Sequence, residues 1–293
     1  MRSVIIDSIF DRMRTDPDVF FVTADMGINL IEKIEETYPK RYANVGIAEQ
    51  NLIGVSAGLA NLGYRPFAYT ISNFAVHRCF EQVRNEIGVH GYPVTLLGTS
   101  TGYDNAPLGP THHIIDDWGA LKTIPGIDIY CPSSKVYAAT LVDRILDGVA
   151  PAYVRIPKGS PAMPDSDEHM VKFVGDATDI LVISYGSLAQ VCMQARDRDP
   201  RLSVLIINRL RPINHDQLVA AMESHSRIFV VEDHFPQSGL FGSICEFVAQ
   251  HHVCGKVRSL APRNYTLEVG ASPDHFHRKY GIDADSILRS VGY

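Results

Sequence analysis

Short apolar runs rich in β-branched and aromatic residues alternate along the chain with amphipathic stretches. The strand-like runs in the first half are FFVTA (20–24), PFAYTI (66–71), PVTLLG (93–98), IDIYC (127–131) and AYVRI (152–156). Helical patterns fall between them near 49–62, 74–88, 113–122 and 135–147. Such alternation predicts parallel strands joined by helical crossovers. It pauses over 157–178, PKGSPAMPDSDEHMVKFVGDAT, where three prolines, two glycines and four acids interrupt the pattern. It then resumes with DILVISYGS, LSVLIINR and RIFVVED as strands and helical segments near 187–197, 214–224 and 238–250. The expected fold class is therefore α/β with two consecutive domains, each a mostly parallel sheet flanked by helices. The first covers 1–160, a linker covers 161–178, and the second covers 179–293.

Composition narrows the function. The 293 residues are 45% hydrophobic and 20% charged, enough to build a sizeable core. A net charge of −6 argues against a generic binder of nucleic acid or anionic membrane, whose footprint is basic. No apolar run reaches the roughly 18 residues of a membrane span. The N-terminal MRSVIIDSIFDRMR, broken by Asp7 and Asp11, is unlike a secretory h-region. Five cysteines (Cys79, Cys131, Cys192, Cys245 and Cys254) are odd in number and lack CxxC spacing, so neither a disulfide framework nor a zinc knuckle is expected. A cytoplasmic location is the default expectation.

Open parallel sheets place ligands at the carboxyl ends of their strands, and reactive residues follow several strands here. Asp25 follows FFVTA, Ser72 to Phe74 follow PFAYTI, and Ser100 follows PVTLLG. No Walker A or GxGxxG string follows a strand. Glu49 opens NVGIAEQNLIGVSAGLANLG (44–63), a segment apolar on several sides and so expected to be a buried helix. With no cation beside it in sequence, this carboxyl is expected to have a raised pKa and to serve as a proton donor; the competing reading is a first-turn acid complementing the helix dipole. Gly54 and Gly58 share a face where another backbone can approach closely.

In GPTHHIIDD (109–117), a helix capped by Thr111 would set His112 against Asp116 and His113 against Asp117. The i, i+4 pairs do not converge, which disfavours a metal site; surface ion pairs at a helix start are the plainer reading. Phe74, Arg78, Glu81, Gln82 and Asn85 share a helical face that reads by itself as solvated. Arg155, at the end of a strand, is a candidate anion ligand.

In order and spacing, TADMG (23–27), NVGIAEQN (44–51), the F-x3-R-x2-EQ-x-RN segment (74–85), GPTHH (109–113) and VRIPKG (154–159) resemble the C-terminal half of transketolases. That half is the pyrimidine-binding domain followed by the transketolase C-terminal domain, and the likeness is nearest to the small subunit of split, two-chain enzymes. It covers nearly the whole chain. The resemblance implies thiamine diphosphate as cofactor. Glu49 matches the glutamate that bonds the pyrimidine N1′, Phe74 the aromatic that stacks on the ring, and Asp25 an acid near the cofactor. His112 matches a histidine of the substrate channel and Arg155 an arginine that holds sugar phosphate.

Three positions depart from the family pattern. Leu108 replaces the aspartate of DGPTH that meets a substrate hydroxyl, Ser100 stands where a histidine is expected, and Asn29 replaces a phosphate-binding serine. Leu108 implies an acceptor that is deoxygenated, smaller or less polar at that point. The chain also lacks the GDG motif that grips the diphosphate through a metal; GDAT at 175–178 sits in the linker. Mg²⁺ and the diphosphate are therefore expected on a separate N-terminal-type subunit, most simply in an α2β2 assembly with the site at the interface. The expected activity is transfer of a two-carbon ketol unit from a ketose to an aldehyde. The alternatives are decarboxylation of a 2-oxo acid, as in deoxyxylulose-phosphate synthases and pyruvate dehydrogenase β subunits, or a non-catalytic paralogue.

Overall fold

The computed structural model describes residues 1–176, 179–251, 253 and 255–292; Cys254 and the last two residues of the expected linker lie outside them. After helix α1 (Arg2–Thr15) come β1 (Val19–Thr23), α2 (Glu32–Thr37), β2 (Tyr42–Asn44), α3 (Glu49–Asn61) and β3 (Arg65–Ile71). The chain continues through α4 (Ser72–Val76), α5 (Phe80–Gln82), a π-helical turn (Val83–Gly88), β4 (Thr95–Thr99), α6 (Asp117–Leu121), β5 (Asp128–Tyr130), α7 (Lys135–Asp147) and β6 (Ala152–Ile156). Strands β1, β4 and β6 are buried at every position, as central parallel strands covered on both faces must be. In α7, Ser134 caps the helix by accepting the Tyr137 N–H at 3.0 Å, and Tyr137, Ala138, Leu141, Val142, Ile145 and Leu146 form its buried stripe.

The second half contains β7 (Met170–Phe173), β8 (Ile180–Ser184), α8 (Leu188–Arg198), β9 (Ser203–Ile207), β10 (Arg209–Arg211), α9 (His215–Met222), β11 (Arg227–Val231), α10 (Leu240–His251), β12 (Lys256–Leu260), α11 (Pro273–Tyr280) and α12 (Ala284–Gly292). Two mostly parallel sheets result, in the orders β10-β5-β6-β4-β3-β1-β2 and β12-β11-β8-β9-β7, as the alternation predicts. The antiparallel members are β10 and β7. Strand β10 leaves the second half to extend the first sheet, tying the halves together. Strand β7 lies inside the segment expected to be linker: its MVKF pairs with β9, so the connecting stretch ends sooner than composition indicates.

The halves share a core. Trp118 donates its indole N–H to the Tyr185 hydroxyl at 3.1 Å, and both rings are buried within one apolar cluster that also takes in Leu210, Leu240 and Ile244. Beneath this lies a buried polar knot. Arg155, 1% exposed, meets Asp117 at 3.0 Å, Asp233 at 2.9 Å and the Ile114 carbonyl at 2.6 Å. Tyr153 donates to the other side of the knot, at 2.6 Å from Asp117. Gly102 makes room for it: its φ is +48°, and a Cβ there would lie 2.0 Å from the Asp233 carboxylate.

This placement corrects the expectation for Arg155. Every guanidinium nitrogen is engaged, burial keeps solvent away, and the two carboxylates hold the group charged against the cost of desolvation. It bridges the two halves of the chain rather than facing an incoming phosphate.

Candidate active site

Helix α3 buries Glu49, Leu52, Ile53, Ser56, Ala57 and Ala60 on one face. The opposite face is left open: a side chain at Gly58 would meet nothing within 4 Å, and one at Gly54 would touch only the Glu86 carboxylate at 3.3 Å. The helix is thus covered on one side rather than all round. Glu49 stands at its first position, 3% exposed.

Glu49 has a cation beside it after all, which sequence neighbours did not reveal. Arg78 donates to its Oε2 at 2.6 Å. The same guanidinium carbon lies 4.1 Å from the centre of the Phe74 ring. The sequence carries the signal for this second contact: Phe74 and Arg78 are four apart, one turn along a helix. Helix α4 ends at Val76, so the face expected to run on through Glu81 and Asn85 is broken; α5 and the π-helical turn follow. The premise behind the expected proton-donor behaviour of Glu49, a carboxyl with no cation nearby, does not hold in the chain by itself.

His112 joins the group from the 109–113 turn. The Asn73 amide donates to the Thr111 carbonyl at 3.2 Å and the His113 carbonyl at 3.0 Å, pinning that turn to α4. The His112 ring then stands edge-on to Phe74 at 5.5 Å. Burial pushes its pKa below the usual histidine value, and the nearby positive charges of Lys158 and Arg78 push the same way.

The helix expected from Thr111 does not form. Pro110–His112 make a single 3-10 turn and α6 starts at Asp117. The expected His–Asp pairs are absent because both acids have other partners. Asp116 takes His77 at 2.9 Å and the Tyr265 hydroxyl, while Asp117 takes Arg155 and Tyr153. His77 is thereby raised above its usual pKa. His113 is buried against Tyr103 and Phe276, and burial lowers its pKa.

The remaining candidates lie in the segments that follow β1 and β4. Among the described residues, Asp25, Asn29 and Ser100 are the non-glycine residues with positive φ, at 50°, 62° and 68°. Backbone held there costs on the order of 1 kcal/mol or more, and such strain gathers at functional sites. Asp25 is exposed and exchanges hydrogen bonds with Asn44, at 2.9 and 3.3 Å. Asn29 is exposed, its N–H held by Glu32 at 2.5 Å. Ser100 is 2% exposed and its carbonyl accepts from Ser72 at 2.9 Å. Leu108, by contrast, is 57% exposed. No hydrogen bond or ring contact links these four to Glu49 and Phe74. Lys158, which the motif reading passed over, is exposed; its backbone N–H is fixed by Asp104 at 2.8 Å, and its charge reaches His112.

The chemistry of Glu49 and Phe74 fits the pyrimidine end of thiamine diphosphate. A flat, nitrogen-bearing cation already rests on the phenyl face while bonding the carboxylate, which is the pair of contacts an aminopyrimidine needs. Among the described residues, no three His, Cys, Asp or Glu side chains converge to hold a metal ion. Nor is any helix long and apolar enough to cross a membrane.

The transketolase pyrimidine-binding domain matches residues 1–162 and the transketolase C-terminal domain matches residues 170–287. An apulose-4-phosphate transketolase subunit from Phocaeicola vulgatus is 28% identical, over 99% of this chain and 96% of its own length. The 1-deoxy-D-xylulose-5-phosphate synthase of Thermus thermophilus is 26% identical over 97% of this chain, which spans about half of that longer protein. Among solved structures, a split-gene transketolase in an inactive β4 tetramer superposes with a TM-score of 0.87 at 23% identity, covering 99% of this chain and 96% of its own. A transketolase from Pichia stipitis gives 0.82 at 14% identity, over 99% of this chain and 45% of its own. Two family domains in succession, filling almost the whole sequence, show that this chain belongs to the transketolase family.

Proposed function

We propose that the chain is the pyrimidine-side subunit of a two-chain, thiamine diphosphate-dependent transketolase that moves a two-carbon ketol unit from a ketose to an aldehyde. The observation that carries this is the pairing of a buried carboxyl at the start of α3 with an aromatic face on α4, both reached by one flat guanidinium. The relatives named as subunits of apulose-4-phosphate transketolase, matched along almost their full length, support a separate partner. That partner would bring Mg²⁺ and the diphosphate-binding residues, most simply as α2β2, and the uncovered Gly54/Gly58 face of α3 is where it would pack closely.

When bound, the cofactor supplies a nucleophilic carbon and an electron sink. Glu49 would hold a proton at the ring nitrogen N1′, its burial keeping water from competing for it. Phe74 would fix the ring plane, worth about 1 kcal/mol beyond area burial. His112, neutral at physiological pH, would take and return protons at substrate oxygens, a contribution of typically ~100-fold or more. Asp25 would line the cofactor, and Asn29, Ser100 and Leu108 the approach of the sugar. With Arg155 committed to the interior, Lys158 is the cation to meet an anionic substrate tail.

The test is reconstitution. Co-purification with a partner carrying a GDG…N motif, followed by ketol transfer that needs both chains and falls at least 100-fold in Glu49→Gln, supports the reading. Full activity of Glu49→Gln, or turnover by this chain unaccompanied, refutes it. The synthase relatives favour one competing chemistry, and carbon dioxide release from pyruvate without ketol transfer would establish it.

A further inference from the structure

The functional reading gives Arg78 no task, yet Arg78 touches both residues that the cofactor ring needs. Its guanidinium lies 4.1 Å over Phe74 and donates at 2.6 Å to Glu49. A guanidinium is flat, delocalised and rich in N–H donors. An aminopyrimidine is likewise flat and nitrogen-bearing, and meets the same aromatic face and the same carboxylate. The two cannot share one face of Phe74 and one carboxylate oxygen.

We infer that Arg78 is an internal surrogate for the aminopyrimidine: its guanidinium fills the ring's place between Phe74 and Glu49 until the cofactor displaces it. This rests on the pyrimidine-side reading given above and deepens it. Two features make the exchange workable. The Arg78 side chain is 45% exposed, so it can swing into water without losing a buried position. Glu49 is 4% exposed at its side chain, so with the ring absent its buried carboxylate needs a charge partner, and Arg78 supplies one. The surrogate thus keeps the half-site formed, while adding a competitor that the ring must outbid. An exposed cation–π contact and a half-exposed ion pair are each modest, so the competition should weaken ring binding about tenfold.

The experiment titrates 4-amino-5-hydroxymethyl-2-methylpyrimidine, the ring fragment without diphosphate or thiazolium, into the full-length chain by calorimetry. Arg78→Ala should bind the fragment about tenfold more tightly than the wild type. Arg78→Lys, which keeps the charge but not the plane, should fall between them. In the wild type, the Arg78 guanidinium NMR signals should shift as the fragment is added. Equal or weaker binding by Arg78→Ala overturns the inference, since it makes Arg78 a bystander or a lasting prop of the ring. Loss of the Arg78→Ala affinity on adding Phe74→Ala would show that the site reading stands whichever way the Arg78 comparison falls. If the wild type and both Arg78 variants all fail to bind the fragment, the pyrimidine site itself is misplaced and the inference falls with it.

Discussion

Replacing Arg155 with methionine separates a structural role from a substrate-binding one. The substitution keeps an unbranched apolar stem and removes the guanidinium from between Asp117 and Asp233, which are 0% and 4% exposed at their side chains. Both carboxylates are then left facing one another without their shared cation. Breaking a buried pair in this way costs about 3–5 kcal/mol. For 293 residues the unfolding entropy near the midpoint is about 0.6 kcal/mol/K, so Tm should fall by about 5–8 °C. The assays are thermal and urea unfolding of the chain, followed by steady-state kinetics of the assembled enzyme with phosphorylated and unphosphorylated ketoses. Adding Asp117→Asn and Asp233→Asn should recover much of the loss, because neutral amides in that space no longer repel. The loss should also persist at high salt, since a fully buried pair is little screened. The refuting result is an Arg155→Met chain that melts within about 1 °C of the wild type while KM for the phosphorylated ketose alone rises tenfold or more. That pattern would put the guanidinium on the substrate.

Glu232, fully buried and accepting N–H bonds from Leu240 at 2.8 Å and Phe241 at 2.9 Å, is pushed up from 4.5 to about 8 by burial. Between those values the unfolded chain loses a proton that the native chain keeps, so stability should decline as pH rises from about 4.5 to 8, with a contribution on the order of 5 kcal/mol. Urea titrations across that range should show the slope flatten in Glu232→Gln; an unchanged slope would clear Glu232 of it. For His112, the lowered pKa places the acid limb of kcat/KM below the ordinary 6.5, and His112→Asn should abolish that limb while cutting kcat about 100-fold. Leu108→Asp should shift preference toward acceptors carrying a hydroxyl at the contacted carbon, by tenfold or more in the ratio of kcat/KM values; an unaltered ratio would place Leu108 away from the acceptor.

The two-sheet α/β fold was legible in the chain because parallel strands buried on both faces are largely apolar, as FFVTA, AYVRI and DILVISYGS are apart from a few polar positions such as Arg155. What the pattern did not show were short or edge elements: β2, β7, β10 and β12 are three to five residues long and carry polar side chains, since an edge strand needs only one covered face. Among the candidate site residues, Glu49, Phe74 and His112 were singled out through motif spacing, and the contacts among α3, α4 and the 109–113 turn bring them together. Sequence could not decide which charges pair. Arg155 and Asp233 are 78 positions apart, and Arg78 and Glu49 are 29 apart, so neither pairing leaves a local spacing signature. Whether an arginine at a strand end meets solvent or sinks between two carboxylates is settled by the domain that packs over it. The residue types and their order fixed the family chemistry available to this chain. Burial and long-range pairing, which exist only once the sheets are stacked, decided that Arg155 is held between Asp117 and Asp233, that Arg78 lies between Phe74 and Glu49, and that Lys158 is left exposed.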